Sequence, residues 1–85
     1  MNRTQLLEQG RKLCDALLAQ YPSLQAILSI SRQIDYLMGL DSGAISDRSR
    51  LKEITIGVLT AREIEPLDDE ASEVFYKISS EASRM

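Results

Sequence analysis

Apolar residues recur at Leu6, Leu7, Leu13, Cys14, Leu17, Leu18 and Tyr21, with Gly10 filling the gap. This is the i, i+3, i+4, i+7 spacing that gathers side chains on one face of a helix, and it predicts a first helix from about Thr4 to Gln20. Pro22 bars the αR conformation at Tyr21 and suits the first turn of a second helix, with Ser23 as another start signal. That second helix is expected to bury Leu24, Ile27, Leu28, Ile30, Ile34, Leu37 and Met38 and to stop at Gly39, because GLDSGAISD is loop-like in composition. Ser46 or Asp47 can cap a third helix with the apolar set Leu51, Ile54, Thr55, Val58 and Leu59. Within it ITIGV is β-branched on both sides of a glycine, so a short strand is conceivable, although the sequence offers no second strand to pair with it. Pro66 ends or kinks that element. Leu67, Ala71, Val74, Phe75, Ile78 and Ala82 then give a fourth amphipathic face. The expectation is an all-α fold, a small antiparallel bundle of about four helices forming one domain over residues 1–85.

Composition narrows the picture. Eighty-five residues cannot build two cores. A hydrophobic fraction of 44% with 27% charged residues is that of an ordinary soluble protein. The longest apolar run is far short of the roughly 20 residues that span a bilayer, and the amino terminus lacks the apolar core of a signal peptide, so a cytoplasmic protein without a membrane partner is expected. A lone cysteine, Cys14, excludes an internal disulfide and agrees with a reducing compartment. Its place between Leu13 and Leu17 marks it as core packing.

The net charge of −3 is unevenly spread. EIEPLDDEASE, residues 63–73, holds six carboxylates; the seven remaining acids against ten Lys and Arg leave +3 elsewhere. Scattered basic residues such as Arg48, Arg50 and Lys52 do not make the dense footprint that nucleic acid requires. Without histidine, Ser-His and Cys-His nucleophile pairs are impossible, and no GxGxxG or GxxxxGK[ST] phosphate loop occurs. The acidic stretch lacks the spacing of a calcium loop and is broken by Pro66, so neither a metal nor a cofactor is expected. Asp68, Asp69 and Glu70 fit the first turn of the fourth helix, where negative charge meets the positive end of the helix dipole. Glu63 and Glu65, at the carboxyl end of the third helix, are disfavoured by the same dipole, so capping does not explain the whole cluster. Helical phase also places Tyr76 away from the core, on a face with Asp69, Glu73 and Ser80, and Tyr36 likewise, amid Gln25, Ser29, Arg32 and Gln33. Outward tyrosines among polar residues are common interface anchors.

Between Leu18 and Ile78 the segments LAQYPSLQAILSISRQIDYL and SDRSRLKEITIGVLTAREIE together resemble the Tsi-type immunity proteins of type VI secretion, which neutralise effectors that consume NAD(P)+. The match is carried by the order and spacing of Tyr21-Pro22, Leu28-Ser29, Gln33, Tyr36, Asp47-Arg48-Ser49, Thr55, Gly57 and Glu63, none of them a catalytic signature. The chain departs from the pattern around Pro66 to Asp69, where the linker looks shortened. The resemblance implies a helical protein without activity of its own that binds a cognate toxin domain, the carboxy-terminal part of an Rhs or type VI effector, and blocks its NAD+ pocket. That toxin would be an NAD(P)+ glycohydrolase or an ADP-ribosyltransferase. A pyrophosphate-binding cleft is lined with positive groups, so the candidate contacts are Glu63, Glu65, Asp68, Asp69, Glu73 and Tyr76, with Arg32, Gln33 and Tyr36 on the second helix. Arg48, Arg50 and Lys52 are read as solubilising a loop, with an acidic toxin surface as their other use. An effector chaperone or adaptor is the alternative within the binding class. A small enzyme using Glu65 and Asp68 is the alternative outside it. Self-association is left open.

Overall fold

The protein, described over residues 2–85 by a computed structural model, is a bundle of four helices: α1 (Arg3–Gln20), α2 (Gln25–Ser42), α3 (Ile56–Leu59, continuing as a π-helical stretch over Thr60–Ile64) and α4 (Asp69–Ala82). No strand occurs among the described residues, and ITIGV is helical from Ile56. The radius of gyration, 11.9 Å, is that of a closely packed chain of this length.

Each long helix has a local reason to start where it does. Asn2 closes a capping box on α1, its Oδ1 accepting the Gln5 N–H at 2.8 Å while its own N–H donates to Gln5 Oε1 at 3.1 Å. Asp68 caps α4 by accepting the Ala71 N–H at 3.0 Å, and Asp69 and Glu70 occupy the first turn. Between α1 and α2, Tyr21 to Leu24 form a tight turn closed by the Leu24 N–H on the Tyr21 carbonyl at 3.1 Å. Pro22 therefore shapes a turn instead of opening the helix, which begins three residues later. Tyr21, expected in the apolar face, leaves the helix here and is exposed.

The two long helices are antiparallel and tied along their length by Arg11 paired with Asp35 and by Thr4 donating to Asp41 at 2.6 Å. Arg3 and Glu81, 2.9 Å apart, tie the start of α1 to the end of α4 and hold the Glu81 carboxyl below its usual range. The core contains Leu7, Cys14, Leu17, Ile27, Ile30, Ile34, Leu37, Ile56, Ile64, Phe75 and Ile78. Burial pushes the Cys14 thiol up to about 12, from an ordinary 9.0. The native thiol should therefore resist alkylation near pH 8 and react only on unfolding. Because the folded value is raised, this group's contribution to stability is complete below its unfolded pKa and is lost as pH climbs from there towards the folded value. A native chain alkylated as fast as the urea-unfolded one would contradict this burial.

Three expectations are corrected. The second helix does not stop at Gly39 but runs to Ser42 and is closed by Gly43, whose φ of 85° is left-handed. Gly39 instead lets the returning loop press onto the helix: a Cβ there would lie 2.4 Å from Ile45 Cδ1, and the Ile45 N–H reaches the Gly39 carbonyl at 2.9 Å. The third helix does not start at Ser46 or Asp47. Asp47 accepts the Ser49 N–H at 2.9 Å in a side-chain-closed turn, a bond that lowers its pKa, and Leu51–Glu53 form one 3₁₀ turn. With the start moved to Ile56, the buried face becomes Ile56, Thr60 and Ile64, and Val58 turns outward at 57% exposure. The buried Thr60 hydroxyl donates to the Ile56 carbonyl at 2.7 Å and the Glu65 N–H reaches back five residues to Thr60 at 2.9 Å, which widens the turn before Pro66. Leu67 precedes α4 and so escapes its phase, leaving it 40% exposed.

Candidate functional site

Two surfaces collect the side chains that the bundle does not need for its own packing. One is the acidic edge formed by the α3–α4 connection and the first turns of α4. Glu63 is half-buried, whereas Glu65, Asp69, Glu70 and Glu73 are exposed. Among the described residues none of the six carboxylates in the stretch forms an ion pair; the ion pairs involve Arg3, Arg11 and Arg84. Asp68 is occupied with its cap and Asp69 with Glu70 favours the α4 dipole, whereas Glu63, Glu65 and Glu73 serve neither the cap nor an ion pair among the described residues.

Tyr76 stands on this edge, 37% exposed as its helical phase requires. Its hydroxyl donates to Glu65 Oε2 at 2.7 Å, so the carboxylate that capping does not explain orients the aromatic ring. That bond raises the phenol pKa, since ionisation would place a second negative charge beside Glu65. Glu65→Gln should return the Tyr76 titration to the ordinary tyrosine range near 10, followed through its ring resonances. Unchanged titration in that variant would mean that Glu65 does not hold the phenol. Beside the edge, where the α1–α2 turn meets the α3–α4 turn, Tyr21, Pro22 and Leu67 expose an apolar shallow of about 510 Å³ next to Arg62 and Glu63.

The second surface lies along α2. Tyr36 does not face solvent as its phase suggests: it is 8% exposed and belongs to the core cluster. The reason is tertiary. The loop after Gly43 folds back over the ring, the phenol donates to the Asp47 carbonyl at 2.7 Å, and the Arg50 guanidinium lies over its face, 5.3 Å from the centroid. Gln33 serves the same loop. Its Oε1 accepts the Thr55 N–H at 2.7 Å and its Nε2 donates to Thr55 Oγ1 at 3.0 Å and to Ser29 Oγ at 3.1 Å. A groove of about 280 Å³ remains between α2 and the 50–55 segment, and Arg32 is exposed on its rim. Tyr36→Phe removes one hydrogen bond and should lower stability by about 0.5–1.5 kcal/mol, measured by urea unfolding. No loss would show that the loop is held elsewhere.

The structure thus brings Glu65, Asp69, Glu73 and Tyr76 to one edge, keeps Arg32 exposed, and turns Gln33, Tyr36 and Asp68 to scaffolding. The exposed Val58 and Leu67 and the groove residue Glu53 were missed by the sequence reading. Only a correct start for α3 could have revealed Val58.

The profile of the Tsi6 family matches residues 2–84. The immune protein Tsi6 of Pseudomonas aeruginosa is 33% identical over 55 residues, which are 65% of this chain and 58% of that protein. The matched segment therefore spans less than two thirds of the curated relative. The structure of Tsi6 from Pseudomonas aeruginosa superposes on all of this chain and 88% of its own length with a TM-score of 0.92 at 25% identity. Tsi6 in a structure of Tse6 in complex with Tsi6 is similar at the same TM-score, 0.92, and 25% identity, over 99% of this chain and 89% of the other.

Proposed function

The chain belongs to the Tsi6 family, and from that premise we propose that it is an immunity protein which binds a cognate NAD+-using toxin domain in the cytoplasm and blocks its active site. It acts by occupying a surface and has no catalysis of its own. The observation that carries the surface assignment is the acidic edge, six carboxylates without an ion pair among the described residues, crowned by a tyrosine held upright by Glu65. An edge of unpaired carboxylates attracts a positively charged partner. A cleft that binds the pyrophosphate of NAD+ offers such a partner at its mouth. Glu65, Asp69 and Glu73 would be drawn to the basic residues there, and Tyr76 and the apolar shallow around Leu67 would exclude water behind them. That the relative Tsi6 is known in complex with Tse6 supports a role in binding a partner protein.

Co-expression with a type VI effector toxin domain from the same genome tests the reading. Growth should be restored by the intact chain, and the two proteins should co-elute as a 1:1 pair. Unrestored growth with no co-elution would overturn it. Unrestored growth with loss of effector export in the chain's absence would place the protein among effector adaptors.

A further inference from the structure

We propose that the groove between α2 and the 50–55 segment seats an acidic side chain of the partner protein, clamped by Arg32 and Arg50. The inference rests on the reading that the chain binds a protein, and it names a second contact of opposite sign to the acidic edge.

The charge in the groove is uncompensated. Arg32 and Arg50 line it, and neither forms an ion pair among the described residues. Glu53 is the one carboxylate in the lining and pairs with neither, so two guanidiniums face one acid and the groove carries a net positive charge. A planar guanidinium presents paired N–H groups that match the two oxygens of a carboxylate, a geometry that lysine cannot supply.

The walls are built in advance. The Gln33 amide clasps Thr55 through both of its heteroatoms, fixing the 50–55 segment against α2. Stacking on Tyr36, itself bonded to the Asp47 carbonyl, holds the Arg50 side chain in place, so little rotamer freedom remains to be lost on binding. Hydrogen bonds of this kind around an unpaired guanidinium preorganise a site, where a solubilising arginine would be left free.

The position suits a protein side chain more than a free anion. One turn beyond Thr55 stands Val58, the most exposed large hydrophobic residue among those described, which a protein face would cover and a small ion would leave bare. Thr55 immediately precedes α3 and Glu63 lies near the end of its π-helical continuation, about 12 Å along the axis at 1.5 Å per residue. A partner that covers both ends of this short element meets two contacts of opposite charge, which fix its orientation as one does not.

The test is the dissociation constant for a catalytically inactive variant of the effector domain that the chain neutralises in co-expression, measured with melting temperatures for each variant. Arg32→Ala should weaken binding about tenfold and Arg32→Glu more, with the melting temperature nearly unchanged because Arg32 is exposed and forms no ion pair among the described residues. Arg50→Ala should weaken it similarly. Glu53→Gln should tighten binding several-fold by removing the competing carboxylate. Arginine variants that bind as tightly as the wild type, while the wild type binds, would overturn the groove and leave the proposed function standing. Losses that track the melting temperature would assign both arginines to the fold and also overturn it. A wild-type chain that binds no effector domain would remove the proposed function first and this inference with it.

Discussion

Phe75→Ala is expected to cost about 3–5 kcal/mol of folding stability and so to leave a substantial fraction of the chain unfolded at growth temperature. Phe75 is fully buried on α4 within the single cluster where all four helices meet. Truncation removes most of a benzyl group from water-excluded space, and the surrounding core cluster, fixed on several helices, collapses only in part. A chain of this length has roughly 4–13 kcal/mol in all at 0.05–0.15 kcal/mol per residue, so one such cavity consumes a large share. Thermal unfolding followed by circular dichroism should fall by about 4–8 °C per kcal/mol, a drop of tens of degrees at the upper end. A melting temperature within a few degrees of wild type would mean that α4 does not close the core.

The second large effect concerns association. Changing Glu65, Asp68, Asp69 and Glu73 to their amides should slow binding to the toxin domain about tenfold or more at low salt, because rim charges act mainly on the encounter rate. Asparagine caps as well as aspartate, so Asp68→Asn preserves the bond to the Ala71 N–H and keeps α4 intact. Loss of first-turn charge at Asp69 costs at most about 1 kcal/mol and is offset by relief of repulsion along the stretch. At roughly 0.5 M salt, where the Debye length is about 4 Å, wild type and variant should converge. Equal rates at low salt would return the stretch to helix capping and leave the arginine groove as the better candidate contact.

Which parts of this arrangement were legible in the sequence follows from how local their causes are. The buried faces of α1 and α4, the core position of Cys14 and the outward Tyr76 depend on 3.6-residue periodicity and were read from it. The first-turn role of Asp68, Asp69 and Glu70 depends on a helix start a few residues away and was read as well. Tyr36 failed because periodicity describes a helix against its bundle and is blind to a loop that returns from eleven residues downstream to cover the opposite face. The α3 phase failed because Asp47 carries the same chemistry in a turn as at a cap, and only the Gln33–Thr55 clasp, a contact across 22 residues, shows where the helix begins. The same long-range contacts make the arginine groove, so it was invisible as a cavity although its basic residues were noted.

If the chain silences a toxin by covering its NAD+ site, as proposed above, it must stop that toxin's turnover stoichiometrically. The direct measurement is NAD+ turnover by the purified toxin domain that the chain neutralises in co-expression, titrated with the intact chain. The account predicts that turnover falls linearly to zero at one chain per toxin domain. Turnover that persists undiminished with the chain in saturating excess, while the two proteins co-elute, would contradict it.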